Sequence, residues 1–354
     1  MGKVALFVGQ TVGDYRVTGV LGEGGMGAVY KVQHLISDRT EAIKIVLPDI
    51  KEMPGLADRF MREIKVQARL SHPNIASLHT VLRFEDQFLM VMEYVDGMTL
   101  HARLRERPLT TTESVAICAQ ILNALTYAHE LGVIHRDIKP ANIMLTGGGC
   151  VKLMDFGIAR SVADQHLTSA GAAVGSLHYM SPEQVRGAEV DGRSDLYSVG
   201  VVLYEMITGV RPIEGEGSWE VMNGHLNQVP QPPIARVPGL APALSQCILK
   251  ALEKTPENRF RNAAEFSAAI QSGLPPPDPL PTPSPVSTPA SIPFEAAGLE
   301  RLTRELANYV GPMARVLVNR AAKKAQNWKQ LYDTVALEIE EPAERKQFLS
   351  HRPL

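Results

Sequence analysis

The sequence predicts an α+β protein in which a small β-rich lobe precedes a larger helical lobe. Three observations carry that prediction. Up to Glu93 the apolar residues form short, β-branched runs broken by glycine and polar turns. From Thr112 they recur at helical spacing over long segments. Nine of the 25 prolines then crowd into residues 274–293, a stretch without apolar periodicity that reads as an extended linker, before helical periodicity resumes. The expected organisation is a main domain over residues 11–273, a linker over 274–293 and a small helical module over 294–354.

Composition narrows the class. The 354 residues are 45% hydrophobic and 21% charged, with a formal net charge of -2, which gives no general attraction to nucleic acid or anionic lipid. Cys118, Cys150 and Cys247 are widely spaced, as expected of reduced, buried thiols rather than a disulfide frame or zinc site. Residues 1–9 show no signal-peptide pattern. The most apolar later stretch, residues 199–210, is interrupted by Glu205 and falls short of the ~18 residues a membrane span needs. A cytoplasmic protein is expected.

Taken in order, a strand from Tyr15 to Leu21 runs into Gly22-Glu23-Gly24-Gly25-Met26-Gly27-Ala28-Val29. This G-x-G-x-x-G spacing occurs in dinucleotide-binding turns too, but there a helix follows. Here the β-formers Val29, Tyr30 and Val32 follow, so a hairpin flap is expected, its glycines letting backbone close over phosphate. A third strand, residues 41–46, carries Lys44 among apolar neighbours and Glu41 at a position able to face solvent. An amphipathic helix over residues 56–70 aligns Phe60, Ile64 and Ala68, with Glu63 beside that face. Strands over residues 76–84 and 87–93 lead towards Gly97. A long helix over residues 112–131 then delivers the chain to His135.

The stretch from His135 to Gly157 contains two strand-length apolar runs around Gly147-Gly148-Gly149. Asp137, Lys139 and Asn142 precede this hairpin and Asp155 follows it. Two carboxylates, an amide and an ammonium converging there suit Mg²⁺ and phosphate. A lone histidine base, His135, is the competing reading, but no nucleophile stands beside it. Further helices are expected over residues 191–208 and around Pro182 and Pro256. In the terminal module Leu299, Leu302, Leu306 and Val310 share one face. Pro312 should open a second helix carrying Met313, Val316 and Leu317, Asn327 should cap a third, and Pro342 should start a fourth with Phe348. Its basic segment at Arg315, Arg320, Lys323, Lys324 and Lys329 reads as a solvated face.

The ordered set of glycine flap, Lys44, Glu63, Asp137 to Asn142, Asp155-Phe156-Gly157, Pro182-Glu183, Asp195 and Arg259 resembles the serine/threonine branch of the eukaryotic-like (Hanks-type) protein kinases in bacterial form. The resemblance covers residues 11–273 and implies the two-lobed protein kinase fold. It also implies ATP and Mg²⁺, with Mn²⁺ able to substitute, and protein substrates. It makes Asp137 the group that takes the acceptor's proton, and Lys139 the one that steadies the γ-phosphate. Lys44 would hold the α- and β-phosphates and pair with Glu63, while Asn142 and Asp155 would hold the metal. Leu21, Gly22, Glu23, Gly24, Gly25, Met26, Gly27, Ala28 and Val29 would cover the nucleotide. Val29, Ala42 and Met144 would sandwich its adenine, Met92 would border the pocket, and backbone groups of Glu93 and Val95 would bond the adenine edge. His135 and Phe156 would brace the site.

The same resemblance pairs Glu183 with Arg259, and lets Ser176 bond Asp137 and Lys139. Arg136 would receive a phosphate on the activation loop at Thr168 or Ser169. Thr282, Ser284 and Thr288 precede proline and are phosphorylatable, although a passive spacer is the simpler reading. Gln67, where the family usually carries an apolar residue, implies a looser active arrangement and favours the rival reading of a kinase-like scaffold. Lys44, Asp137, Asn142 and Asp155 oppose that rival. Related kinases often self-associate, which leaves self-association for phosphorylation in trans open here, and the helical module implies a further partner.

Overall fold

The computed structural model describes residues 6–24, 27–46, 64–84, 87–156, 174–273, 294–322, 325, 327–339 and 342–350. The chain divides into two compact units, Met1–Pro276 and Pro277–Leu354. The first begins with β1 (Thr11–Val12), β2 (Tyr15–Gly24), β3 (Gly27–His34), β4 (Thr40–Val46), β5 (Leu78–Phe84) and β6 (Gln87–Glu93). They form one antiparallel sheet in the order β1-β2-β3-β4-β6-β5. Alternation along β4 divides its side chains between the two faces. Ile43 and Ile45 join Tyr15, Val32, Leu89 and Val91 on one face. Ala42 joins Ile64, Leu78, Met90 and Met92 on the other.

Glu41 corrects one expectation. It shares the face of Ile43 and is only 1% exposed, because β4 lies between β3 and β6 in the interior of the sheet. Its Oε1 lies 3.5 Å from Arg39 and also meets the His79 ring. Of the helix expected over residues 56–70, only residues 64–67 are both described and helical. Residues 47–63, Glu63 among them, lie outside the described residues, as do 157–173.

The larger lobe follows through β7 (Gly97–Thr99), α1 (Leu100–Glu106), α2 (Thr111–Glu130), β8 (Ile143–Thr146) and β9 (Val151–Leu153). The hairpin expected around Gly147–Gly149 forms, and β7 joins it as a third strand in the order β7-β8-β9. Two short helices follow, α3 (Val174–Leu177) and α4 (Pro182–Val185). The remaining helices of this unit are α5 (Gly192–Thr208), α6 (Ser218–Asn227), α7 (Pro233–Arg236), α8 (Pro242–Ala251) and α9 (Ala263–Ser272). Residues 256–258 form one 3-10 turn. Thr110 and Glu113 start α2 with a reciprocal capping box that satisfies otherwise orphaned N–H groups. The apolar stripe of α2 (Cys118, Ile121, Leu122 and Leu125) packs with Leu203 of α5, Ile248 of α8 and Phe266 of α9. Cys118 is buried, whereas Cys150 and Cys247 are half-buried, against the expectation that all three are interior.

A buried ion pair ties α4 to the segment that follows the 3-10 turn at residues 256–258. Arg259 donates from both guanidinium arms to Glu183, at 2.7 and 2.8 Å. It also donates to the carbonyls of Arg193, Glu253 and Lys254, while Ser194 donates to Glu183. Burial alone would raise the Glu183 pKa. The hydrogen bonds from Arg259 and Ser194, with the Arg259 charge, outweigh it and hold the carboxyl at about 2.

The second unit consists of α10 (Ala296–Val310), α11 (Ala314–Ala322), α12 (Trp328–Ala336) and α13 (Pro342–Ser350). Leu302, Leu306, Leu331, Val335, Ile339 and Phe348 form its core, as expected. Asn327 caps α12 by accepting from Gln330 N. The second helix differs in phase. A 3-10 turn at Gly311–Met313 delays α11 until Ala314, so Met313 and Val316 face outward and Ala314, Val318 and Ala321 face the core. A Cβ on Gly298 would come within 2.5 Å of the Trp328 ring, so this close crossing requires glycine.

Arg259→Ala should lower the free energy of unfolding by about 3–5 kcal/mol in urea titrations, because Glu183 keeps a buried charge without its partner. Glu183 has a folded pKa below its unfolded value of 4.5, so its contribution is complete above pH 4.5. It is lost as pH falls through about 2. Acid titration of stability should therefore be flatter below pH 4.5 in Glu183→Gln than in the native chain.

Candidate active site

The loop carrying Asp137 is held by one carboxylate. Asp195, in the first turn of α5, is 1% exposed. It accepts from the backbone N–H of His135 at 2.9 Å and of Arg136 at 2.8 Å, and bonds His129 Nε2 at 2.8 Å. A helix N-terminus is a favourable place for a negative charge. Arg136 has φ 64°, a left-handed conformation that costs a side-chain-bearing residue roughly 1–2 kcal/mol. The Asp195 bond, and Gln184 Nε2 donating to Arg136 O at 2.8 Å, hold it there. The sequence marked Asp195 as part of an ordered set without showing what it holds.

His135 is fully committed. Its Nδ1 accepts from Asp137 N at 3.2 Å, so the ring proton sits on Nε2, which meets Met154 O at 2.9 Å. Burial lowers its pKa, against the opposing pull of Asp195 and Asp137. Its ring centroid lies 4.5 Å from that of Phe156. With both nitrogens occupied by backbone, this imidazole braces the loop and is not placed to act as a base.

Asp137 then becomes the hub. Its Oδ2 lies 2.7 Å from Lys139 Nζ and accepts from Asn142 Nδ2 at 2.9 Å. The same Asn142 nitrogen donates to Asp137 O. Lys139 Nζ also donates to Ser176 Oγ at 2.7 Å, the hydroxyl contact that the sequence made available.

Asp155 stands at the far end of the hairpin. The Ile143↔Leu153 pairing and the bond from Met154 N to Asn142 O bring Asn142 and Asp155 to the same end. Asp155 has φ 52°, a conformation Asp tolerates better than most residues. Its Oδ1 accepts from Lys44 Nζ at 2.7 Å across 111 positions of sequence. Asn142 spends its amide nitrogen on Asp137, which leaves its carbonyl oxygen as the group able to meet a cation. An amide oxygen and a carboxylate are hard donors that fit Mg²⁺. Among the described residues no group of three or more His, Cys, Asp or Glu could hold a metal. A cation here would complete its shell with phosphate and water.

The adjoining wall is apolar. Val29, Ala42 and Met92 share one cluster with Ile64, Met90 and Met154. Val95 is buried, and Met144 follows the first residue of β8. The N–H of Glu93 is taken by Ser77 O, so only its carbonyl remains for an adenine edge. Its carboxylate pairs with Lys152 at 2.7 Å. Leu21 and Gly22 lie exposed on β2, and Ala28 follows the flap on β3. Gly27 has φ 123°, and a Cβ there would fall 2.2 Å from Ile45 O. The flap therefore needs glycine at that position. Glu23 and Gly24 end β2, while Gly25, Met26, Glu63, Thr168 and Ser169 lie outside the described residues.

Asp195→Asn removes the charge beneath two backbone donors, each such bond being worth about 1.5–3 kcal/mol. Calorimetry should show a melting temperature lowered by several degrees.

Residues 15–269 match the family described as Protein kinase domain, and residues 297–352 match one described as Domain of unknown function (DUF8082). Serine/threonine-protein kinase PknB of Mycobacterium tuberculosis is 42% identical over 272 residues, covering 74% of this chain and 44% of that protein. Serine/threonine-protein kinase pkn3 of Myxococcus xanthus is 42% identical over 279 residues, covering 75% and 51%. The chain thus spans about half the length of these curated relatives. The crystal structure of the Mycobacterium tuberculosis PknI kinase domain superposes with a TM-score of 0.62 at 32% identity, over 76% of this chain and 100% of that one. Among the described residues no helix is long and apolar enough to cross a membrane. With the loop, hairpin and flap arranged as above, the chain belongs to the bacterial Hanks-type branch of the serine/threonine protein kinases.

Proposed function

We propose that the chain transfers the γ-phosphate of ATP to serine and threonine hydroxyls of protein substrates. The observation that carries this reading is the network in which Lys139 joins Asp137 to Ser176 while Asn142 fixes the same carboxylate. Asp137 orients the acceptor hydroxyl and takes its proton. Lys139 lies beside it, where charge develops on the transferred group. Lys44 leaves Asp155 to hold the α- and β-phosphates, and Asp155 and Asn142 supply oxygen ligands to the divalent cation. The bound Mg²⁺, or Mn²⁺ in its place, neutralises charge on the phosphates. Val29, Ala42, Met92 and Met144 clamp the adenine.

In this reading the catalytic domain spans residues 11–273, joined by the proline-rich segment 274–293 to the helical module 294–354. The protein acts in cytoplasmic signalling, self-associates for phosphorylation in trans, and uses the module to meet a further partner. Phosphate on Thr168, or secondarily Ser169, pairs with Arg136 and raises activity.

Phosphosite mapping after incubation with Mg·ATP and a generic protein acceptor tests the reaction. The native chain should modify the acceptor and itself, whereas Asp137→Asn and Lys44→Met should each lose at least about 100-fold. Activity that survives Asp137→Asn overturns the assignment. Preincubation with ATP should activate the native chain and leave Thr168→Ala/Ser169→Ala unactivated. An equal gain in both removes the activation step.

A further inference from the structure

The helical module keeps its charges apart. Residues 315–329 carry five cations and no acid, and residues 333–344 carry five acids and no cation. The delayed start of α11 turns apolar side chains into the basic half. Met313 is 56% exposed and Val316 57%. They stand three residues apart, with exposed Arg320 four beyond Val316, so the three share one outward ridge. Exposed Arg315 flanks it. Arg301 and Arg345 are spent on Glu305 and on Ile339 O, whereas neither Arg315 nor Arg320 has an ion pair among the described residues. The acidic half has its own apolar centre. Leu337, at the end of α12, is 69% exposed and is followed by exposed Glu338. Arg345, through Ile339 O, ties the first turn of α13, which carries exposed Glu344, to this end of α12. One exposed apolar side chain is ordinary on a protein surface. Apolar centres rimmed by opposite charges on two surfaces of one module are what an interface presents. Lipid fits the ridge less well. The aromatic side chains of the module, Phe294, Tyr309, Trp328, Tyr332 and Phe348, all lie in or against its core, which leaves none to anchor in a bilayer surface.

We propose that the module joins copies of the chain: the ridge of Met313, Val316, Arg315 and Arg320 on one copy docks on the surface of Leu337, Glu338 and Glu344 on a second. Guanidinium groups meet carboxylates through paired hydrogen bonds, which fixes the direction of approach. Leu337 then covers Met313 and Val316 and removes apolar surface of both copies from water. The contacts are few, so the association is weak and loosened by salt. Copies joined in this way raise the local concentration of one catalytic domain around another. That consequence rests on the proposed kinase activity and on phosphorylation in trans, whereas the association itself does not.

Sedimentation of the full chain over a concentration series tests the contact. The native chain should associate beyond monomer, and less so as salt is raised. Arg315→Glu/Arg320→Glu and Glu338→Arg/Glu344→Arg should each weaken association at least about tenfold. A mixture of the two sets the unaltered ridge of one against the unaltered acidic surface of the other, and should associate again. A native chain that stays monomeric overturns the proposal, as does association that survives both exchanges or a loss that mixing does not repair. Binding of a monomeric chain to phosphatidylglycerol vesicles through Arg315 and Arg320 gives the ridge to lipid and overturns it too. The native chain should also phosphorylate a Lys44→Met copy at least about fivefold faster than when both copies carry Arg315→Glu/Arg320→Glu, with equal rates on a generic protein acceptor. Equal rates on both overturn the consequence for phosphorylation in trans. If the native chain associates but modifies no acceptor, the kinase reading has failed and the contact stands.

Discussion

The loop that carries Asp137 depends on the Asp195 carboxylate. A left-handed arginine would relax to ordinary backbone if nothing prevented it, and Asp137 would then point elsewhere. Asp195 prevents this by accepting two successive backbone N–H groups of the loop. It can do so because α5, which carries it, is packed with most of its residues buried, and because its position at the helix start favours its charge. Packing of the large lobe is thereby converted into the orientation of one side chain. The Glu183–Arg259 pair secures the same region from the other side, since Ser194, next to Asp195, donates to Glu183.

Legibility in the sequence followed distance along the chain. Asp137, Asn142 and Asp155 were readable because one short hairpin carries them all, and local turn chemistry is enough to bring them together. The part played by Asp195 was not, because it acts on Arg136 from 59 positions away and looks locally like a first-turn acid. Glu41 misled for a related reason. Its neighbours in sequence allow an exposed edge, and only the order of strands places it inside. In the second unit one turn of tighter helix, Gly311–Met313, rotated the apolar register of α11. Periodicity suffices for α10, where regular helix runs unbroken through the core positions, and for α12 up to Ala336, beyond which Ile339 still reaches the core.

The small lobe contributes a different kind of order. Its sheet segregates two apolar faces, and the charged groups of the site are attached to one of them. Lys44 and Asp155 meet directly at 2.7 Å, each meeting the other's charge across the junction between sheet and hairpin. The loop beneath them is braced by many bonds, whereas the amide oxygen of Gln67 in the adjoining helical turn is buried without a hydrogen-bond partner.

His135 has a consequence for how the protein meets acid. Its ring is an acceptor on one side and a donor on the other, and the backbone reads both. A second proton would set two donors, N–H against N–H, face to face at Asp137. Burial above all, which disfavours the charged ring, makes the folded chain resist protonation that the unfolded chain accepts freely near its ordinary value of 6.5. Below that pH protons bind preferentially to unfolded molecules, and hydrogen ion behaves as a mild denaturant acting through this ring together with His225, whose pKa burial also lowers. A residue that performs no proton transfer thus couples the integrity of the loop to the acidity of its surroundings.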